Sequence, residues 1–228
     1  MKDAMTSVAT YAYSTGARGL FCIIIAALAG CSLPGRPVRS AVYDFGPGTL
    51  TTPAANPAAQ LAPLAIADIE ANPALDNTAV MYRLAYTNAQ LLHPYAQARW
   101  SMTPAQLVRQ RLREHLGQRR ALLNPSDGVN RSETTATLAG QQPPRMLRIE
   151  LEEFSQLFES PTQSVGLLRL RATLTQPGPT GELLVAQRRV TIQQPATSAD
   201  AQGGVRALTA ATDAAMREIE SWLAGLGA

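Results

Sequence analysis

Apolar residues fall along this chain in three rhythms: an unbroken run at 20–28, mixed short stretches over 61–123, and strict alternation followed by a long helical stripe over 146–226. The alternation is the easiest to read. Leu147, Ile149 and Leu151 stand against Arg148, Glu150 and Glu152, and the period returns at Leu168, Leu170, Ala172 and Leu174. A period of two predicts half-buried strands over 146–158 and 164–175, with a third over 183–193. Their links, ESPTQS and QPGPTGE, are short and rich in turn formers, so the three make an antiparallel meander.

Upstream, 61–69 is an apolar run broken by Pro63 and predicts a first strand. The stretches 80–87 and 91–100 are rich in Tyr, Leu and Trp, with TNAQ as turn chemistry between them, and predict a hairpin. Thr103-Pro104-Ala105-Gln106 opens a helix: the hydroxyl caps, proline takes the first helical position, and Gln106 completes a capping box. Met102 and Leu107 have the spacing of a hydrophobic staple. Leu107, Val108, Leu112 and Leu116 form the buried stripe and Gly117 ends it, before a short strand at 119–123. A last helix, about 200–226, places Val205, Leu208, Ala215, Met216, Ile219, Trp222 and Leu226 on one face, with Arg206, Arg217, Glu218 and Glu220 off it. The order β-β-β-α-β-β-β-β-α predicts an α+β fold: a mostly antiparallel sheet of about six or seven strands covered on one face by two amphipathic helices.

Two stretches stay outside this pattern. Residues 32–60 carry Pro34, Pro37, Pro47, Pro53 and Pro57 among Gly, Ala, Thr and Asn, a composition that buries too little surface to repay ordering. This reads as a tether whose typical span is roughly 30 Å and whose limit is about 90–100 Å. Within it Val42-Tyr43-Asp44-Phe45-Gly46-Pro47 has two aromatics and is a candidate edge strand. The polar stretch 124–144 reads as a mobile loop.

The run at 20–28 is less than half the roughly 20 apolar residues of a membrane-crossing helix. It follows Lys2 and Arg18 and ends in small residues, the layout of a secretory signal. Leu28-Ala29-Gly30-Cys31 resembles the bacterial lipoprotein box, which implies that Cys31 takes a diacylglycerol on its thiol and becomes the first mature residue. Ser32, in place of an aspartate, then implies attachment at the outer membrane, facing the periplasm. The expected organisation is a lipoprotein signal peptide at 1–30, a lipidated N-terminus and tether at 31–60, and a domain at 61–228.

Composition narrows the chemistry. The only cysteines are Cys22, inside the signal, and Cys31, so no disulfide, thiol catalyst or cysteine-based metal site is expected after processing. The sole lysine is Lys2, which excludes a P-loop, and neither G-x-S-x-G nor H-E-x-x-H occurs. His115 falls in the last turn of the first helix, where a histidine is an ordinary dipole contact; His93 precedes Pro94 in a strand with no carboxylate nearby in sequence. Glu150, Glu152 and Glu153 read as a solvated strand face. The chain is expected to be no enzyme and to hold no cofactor or metal. The net charge of +3 gives no sign of a nucleic-acid partner.

One local excess stands out. Between Thr78 and Ser126, Arg83, Arg99, Arg109, Arg111, Arg113, Arg119 and Arg120 face a single acid, Glu114. They either meet lipid phosphates or an acidic partner, or form a helix face wetted by solvent. Tyr82, Tyr86, Tyr95 and Trp100 are either core or contact residues; if the hairpin alternates, Tyr82 and Tyr86 share a face. The candidate partner or lipid contacts are therefore Tyr82, Arg83, Tyr86, Tyr95, Arg99 and Trp100.

YDFGP at 43–47, YRLAY at 82–86, YAQARW at 95–100, PAQLVRQRLREHL at 104–116, LEEFSQLFES at 151–160 and DAAMREIESWLAGL at 213–226 resemble, in order and spacing, the ABC-type transport auxiliary lipoproteins. The resemblance covers nearly the whole mature chain. It implies the outer-membrane lipoprotein component of a Pqi-type or Mla-type system, in which an ABC permease and ATPase and a mammalian-cell-entry-domain protein move phospholipids or other lipophilic substrates across the periplasm. It implies no catalytic residues. Candidate partners are those subunits, the membrane through the N-terminal lipid, phospholipid itself and a second copy of the chain. Two other readings stand beside it: a structural envelope lipoprotein binding an outer-membrane protein or the cell wall, and a lipid-modifying hydrolase.

Overall fold

The alternating residues ahead of the last helix become the spine of a nine-stranded sheet. In chain order the computed structural model has β1 (Ala41–Tyr43), β2 (Leu61–Ile66), β3 (Glu70–Ala71), β4 (Ala79–Leu84), α1 (Ala85–Asn88), β5 (Ala89–Trp100), α2 (Pro104–Leu116), β6 (Arg120–Leu123), β7 (Arg145–Phe158), β8 (Ser164–Gly178), β9 (Gly181–Pro195) and α3 (Ala201–Gly225), with a 3-10 turn at Pro73–Leu75. Residues 39–48, 61–125 and 144–228 are described, and all of them from Ser40 onward belong to a compact unit running from Ser40 to Ala228. The apolar run at 20–28, Cys31, most of the stretch 32–60 and nearly all of the polar stretch 124–144 lie outside the described residues.

The meander forms as its turns predict: β7 pairs antiparallel with β8, and β8 with β9, and these are the longest ladders of the sheet. The other edge of β7 is built differently. β2, β3 and β4 pair with it one after another, all parallel, at Arg145 to Leu147, at Glu150 to Leu151 and at Gln156 to Phe158. β5 returns antiparallel beside β4, while β6 adds parallel to β2 and β1 adds parallel to β5. Antiparallel pairing thus dominates through its long strands, with short parallel strands completing the sheet.

The doublet Glu152-Glu153 puts a bulge in β7. Leu151 pairs with Leu170 but Glu153 pairs with Arg169, leaving Glu152 as the extra residue. A bulge reverses which parity faces inward. Before it Leu147, Ile149 and Leu151 are buried; after it Phe154 and Phe158 take over, with Gln156 among them. Glu152 and Glu153 therefore reach different neighbours.

α3 packs across β7, β8 and β9, and α2 packs against α3. Thr103 and Gln106 form the capping box, and Leu107, Val108, Leu112 and Leu116 are buried. Asp200 caps α3: its carboxylate accepts from the Gly203 amide at 2.7 Å and from the Ser198 hydroxyl at 2.8 Å. Those hydrogen bonds hold its pKa below the usual carboxylate range. Val205, Leu208, Ala211, Ala215, Met216, Ile219 and Leu223 face the sheet side. Gly166 of β8 lets the helix approach, since a Cβ there would stand 2.6 Å from the Ala207 carbonyl carbon and the Leu208 nitrogen.

The opposite face of β7 to β9 is charged. Arg171 bridges Glu150 at 3.4 Å and Glu152 at 2.6 Å, Arg189 reaches Glu152 at 3.3 Å, and Arg148 meets Glu182 at 2.8 Å. Burial opposes ionisation of Glu152, but Arg171 and Arg189 outweigh it and hold the carboxyl below its ordinary range. The Arg148 hydrogen bond does the same for Glu182. This is a solvated face, as the alternation of Glu150 with apolar neighbours predicts.

β1 docks as an edge strand inside the stretch whose composition reads as tether. Ala41 pairs with Ala98 and Tyr43 with Trp100. Just beyond it Phe45 sets its ring against Trp100 at 5.6 Å and Phe154 at 6.2 Å.

Candidate functional site

The β4–β5 hairpin carries most of the residues that the sequence marks for contact, and the structure separates them into three roles. Trp100 is 1% exposed and lies 5.7 Å from Phe154, so it is a core residue and touches nothing outside the fold. Tyr82 and Tyr95 are half-buried in one aromatic cluster. Tyr82 stacks on His93 with ring centres 5.1 Å apart, and lies 4.6 Å from Tyr95 and 6.0 Å from Phe158. The Tyr95 hydroxyl donates to Gln156 Oε1 at 2.9 Å, and Gln156 Nε2 donates to Ser164 Oγ at 2.8 Å. Burial, with the nearby Tyr82 adding to it, pushes the Tyr95 phenol well above its ordinary value, so it stays neutral and acts as a donor.

Arg83 is committed to the fold. Its Nε and Nη2 donate to the two Glu153 oxygens at 3.2 and 3.0 Å, a bidentate pair whose side chains are 20% and 14% exposed. Ser155 Oγ donates to the same carboxylate at 2.7 Å. The remaining nitrogen, Nη1, donates to the carbonyl oxygens of Ala89 at 3.2 Å and Gln90 at 3.1 Å. The bulge in β7 turns Glu153 toward Arg83, and Arg83 in turn clamps the start of β5.

Tyr86 and Arg99 are the exposed members. Tyr86 does not share a face with Tyr82, because β4 ends at Leu84 and Ala85–Asn88 turns as α1. The apolar β4 residues continue without a turn-forming pair, and Thr87 closes the helical turn by donating to the Leu84 carbonyl at 3.2 Å. Tyr86 is 46% exposed and Leu91, a few residues on, is 50% exposed. Arg99 is exposed in β5 between Val42 of β1 and Ala79 of β4.

The arginine excess is largely neutralised by acids distant in sequence. Arg109 meets Asp68 at 3.0 Å; Arg111 meets Asp213 at 3.3 Å and Glu114 at 3.6 Å; Arg119 meets Glu220 at 3.3 Å. His115 bonds Glu220 at 2.8 Å. Arg120, 5% exposed, donates to the Ala228 carbonyl at 2.9 Å, and burial pushes its guanidinium below its ordinary value. These four arginines, like Arg83, tie helices and strands together, and Arg109 and Arg119 do so from a partly solvated surface.

Sequence reasoning did not single out Leu91, Leu183 or Leu184. The last two, 47% and 66% exposed, open β9 at the end of the sheet where Leu184 pairs with Thr175 and Thr175 with Met146. Leu84 pairs with Phe158 at the other end of β7, so the α1 hairpin and the β8–β9 hairpin mark opposite ends. Each leucine adjoins another leucine in sequence, a doublet that breaks strict alternation and is the only sign of exposure the sequence carries. Among the described residues no group of three or more His, Cys, Asp or Glu could hold a metal ion, and no helix is long and apolar enough to cross a membrane.

The crystal structure of protein XCC0632 from Xanthomonas campestris, described as family DUF330, shares this fold with a TM-score of 0.63 at 18% identity, covering 82% of this chain and 96% of its own. A crystal structure of an uncharacterized protein aligns with a TM-score of 0.55 at 11% identity over 81% of this chain and 99% of its own. Comparison with curated proteins gives no significant match. A family model described as ABC-type transport auxiliary lipoprotein component matches residues 43–220, from the end of β1 to the last turns of α3. The chain belongs to the ABC-type transport auxiliary lipoprotein family.

Proposed function

We propose that this protein is the outer-membrane lipoprotein subunit of an ABC transporter system with a mammalian-cell-entry-domain protein, moving phospholipids or other lipophilic substrates across the periplasm. The observation that carries the reading is the family match over 43–220, which spans almost the whole described unit. Its physical features agree with a holding or receiving role. The lipobox at Cys31 supplies the anchor, and with three acyl chains, each buried methylene adding about 0.8 kcal/mol, attachment is stable. The polar groups beneath the hairpin are bonded to one another, which supports a scaffold role; on this reading the subunit works without catalysis while an ATPase elsewhere supplies energy.

The test is affinity purification of the full lipidated chain from detergent-solubilised envelopes. Recovery of a mammalian-cell-entry protein with the permease is the expected result. Recovery of an outer-membrane barrel or peptidoglycan in their place overturns the reading in favour of a structural envelope lipoprotein.

A further inference from the structure

We propose that the exposed end of the β4–β5 hairpin, with Tyr86 and Leu91 at its surface, rests on the phospholipid surface in which the lipid on Cys31 is anchored. The inference rests on the anchor assigned under the proposed function and adds to it a surface and an orientation. Three observations carry it.

The first is length. Composition alone reads 32–60 as tether, but β1 is part of the sheet from Ala41, and Cys31 stands nine residues before Ser40. Fully extended, that segment spans at most about 30 Å, a third of the tether reach that composition suggests. The compact unit is therefore held near the membrane.

The second is direction. β1 runs parallel to β5, with Ala41 beside Ala98 and Tyr43 beside Trp100. The chain leading into Ala41 thus enters from the side on which β5 begins, the hairpin end. Leu91 lies seven residues before Ala98, at most about 25 Å away along the strand. The hairpin end and the membrane fall within the same short reach.

The third is chemistry. No acidic residue occurs between Asp76 and Glu114, so the hairpin itself carries no charge that repels an anionic bilayer; Glu159, in the turn after β7, is an exposed acid at the same end of the sheet. Tyr86 offers a ring with a polar tip, which suits the headgroup level, and Leu91 offers an aliphatic side chain to the boundary beneath. Arg83 holds this end in shape through the Ala89 and Gln90 carbonyls, so the contact surface is pre-formed. The other exposed apolar pair, Leu183 and Leu184, lies at the opposite end of the sheet and faces away from the bilayer on this arrangement.

The experiment uses the full lipidated chain in vesicles of phosphatidylethanolamine and phosphatidylglycerol. The Cys31 thiol is occupied by lipid, so single cysteines in Tyr86→Cys, Leu91→Cys and Leu184→Cys take an environment-sensitive fluorophore selectively. Blue-shifted emission and quenching by doxyl-labelled lipid at 86 and 91, absent at 184, is the expected result. Protein that floats with the vesicles while showing no difference between the hairpin positions and 184 overturns the contact and leaves the anchor standing. Protein that does not float overturns the anchor, and the contact with it.

Discussion

Arg111 on α2 donates through Nη2 to the backbone carbonyl of Phe45, sixty-six residues earlier, and in the same pose lies 5.8 Å from the centre of the Phe45 ring. It also pairs with Glu114 on its own helix and Asp213 on α3. One side chain that is 11% exposed therefore fastens the segment after β1 to both helices.

Arg111→Ala is expected to destabilise the protein by about 2–3 kcal/mol, the range for a charged hydrogen bond lost with its packing. Urea unfolding measures it. Hydrogen exchange at the Tyr43 amide rises in the same variant, because the edge strand loses its fastening. Arg111→Lys recovers little, since an ammonium lacks the fork that reaches Phe45 and Asp213 at once.

Gly166→Ala is expected to cost about 1–3 kcal/mol, toward the upper limit, because the new methyl would meet helix backbone at Ala207 and Leu208, which cannot rotate away. Gly225→Ala is its counterpart. Nothing lies within 4 Å of the position, so alanine at the end of α3 is neutral or stabilises by about 0.4–1 kcal/mol through the unfolded chain. The thermal midpoint should fall for Gly166→Ala and hold or rise for Gly225→Ala.

Much of this fold was legible because its signals are local. The capping box at Thr103, the stripe Leu107-Val108-Leu112-Leu116, the apolar stripe of α3 and the meander all depend on residues close in sequence, and all appear in the structure. The edge strand at Val42 was visible as aromatics amid proline. What the sequence hides is partner choice: nothing in LAPLAI tells β2 to lie parallel to β7. The ion pairs of the arginine excess were hidden for the same reason, since Asp68, Asp213 and Glu220 lie outside the window in which it was counted. Trp100 and Tyr86 looked alike as hairpin aromatics; only the turn at Ala85–Asn88 sends one to solvent while the other is core.

Acid should weaken the fold in a defined direction. Glu152, Glu182 and Asp200 all have pKa values below their ordinary range in the folded state. Their contribution is complete above the unfolded value of about 4 and is lost as pH falls through the lower folded values. Urea midpoints are expected to be flat between neutrality and about pH 5 and to fall below about pH 4. Glu182→Gln shallows that acid slope, and added salt reduces the Glu152 and Glu182 share because both carboxylates are near solvent.

Cys31→Ala is expected to abolish lipidation and release the protein from the membrane fraction. Labelled palmitate is the direct measure, and incorporation that persists in the variant contradicts the lipobox assignment.

Arg83 separates a scaffold role from a binding role. If it served to meet lipid phosphate, Arg83→Ala would leave stability untouched and reduce only binding. The geometry argues otherwise: removal strands Glu153, 14% exposed and left with Ser155 as its remaining hydrogen bond from this group, and frees the Ala89 and Gln90 carbonyls. A partly buried pair lies between the near-zero value of surface bridges and the 3–5 kcal/mol of fully buried ones, so a loss of about 2 kcal/mol is expected. Glu153→Gln removes the charge while keeping the shape and the carbonyl clamp, and should cost less. In the double variant Arg83→Ala with Glu153→Gln no carboxylate is stranded, so stability recovers part of the way from Arg83→Ala. Amide exchange decides the rest: protection of the 86–90 segment is lost wherever Arg83 is absent and kept in Glu153→Gln, since the hairpin end is held by the guanidinium itself.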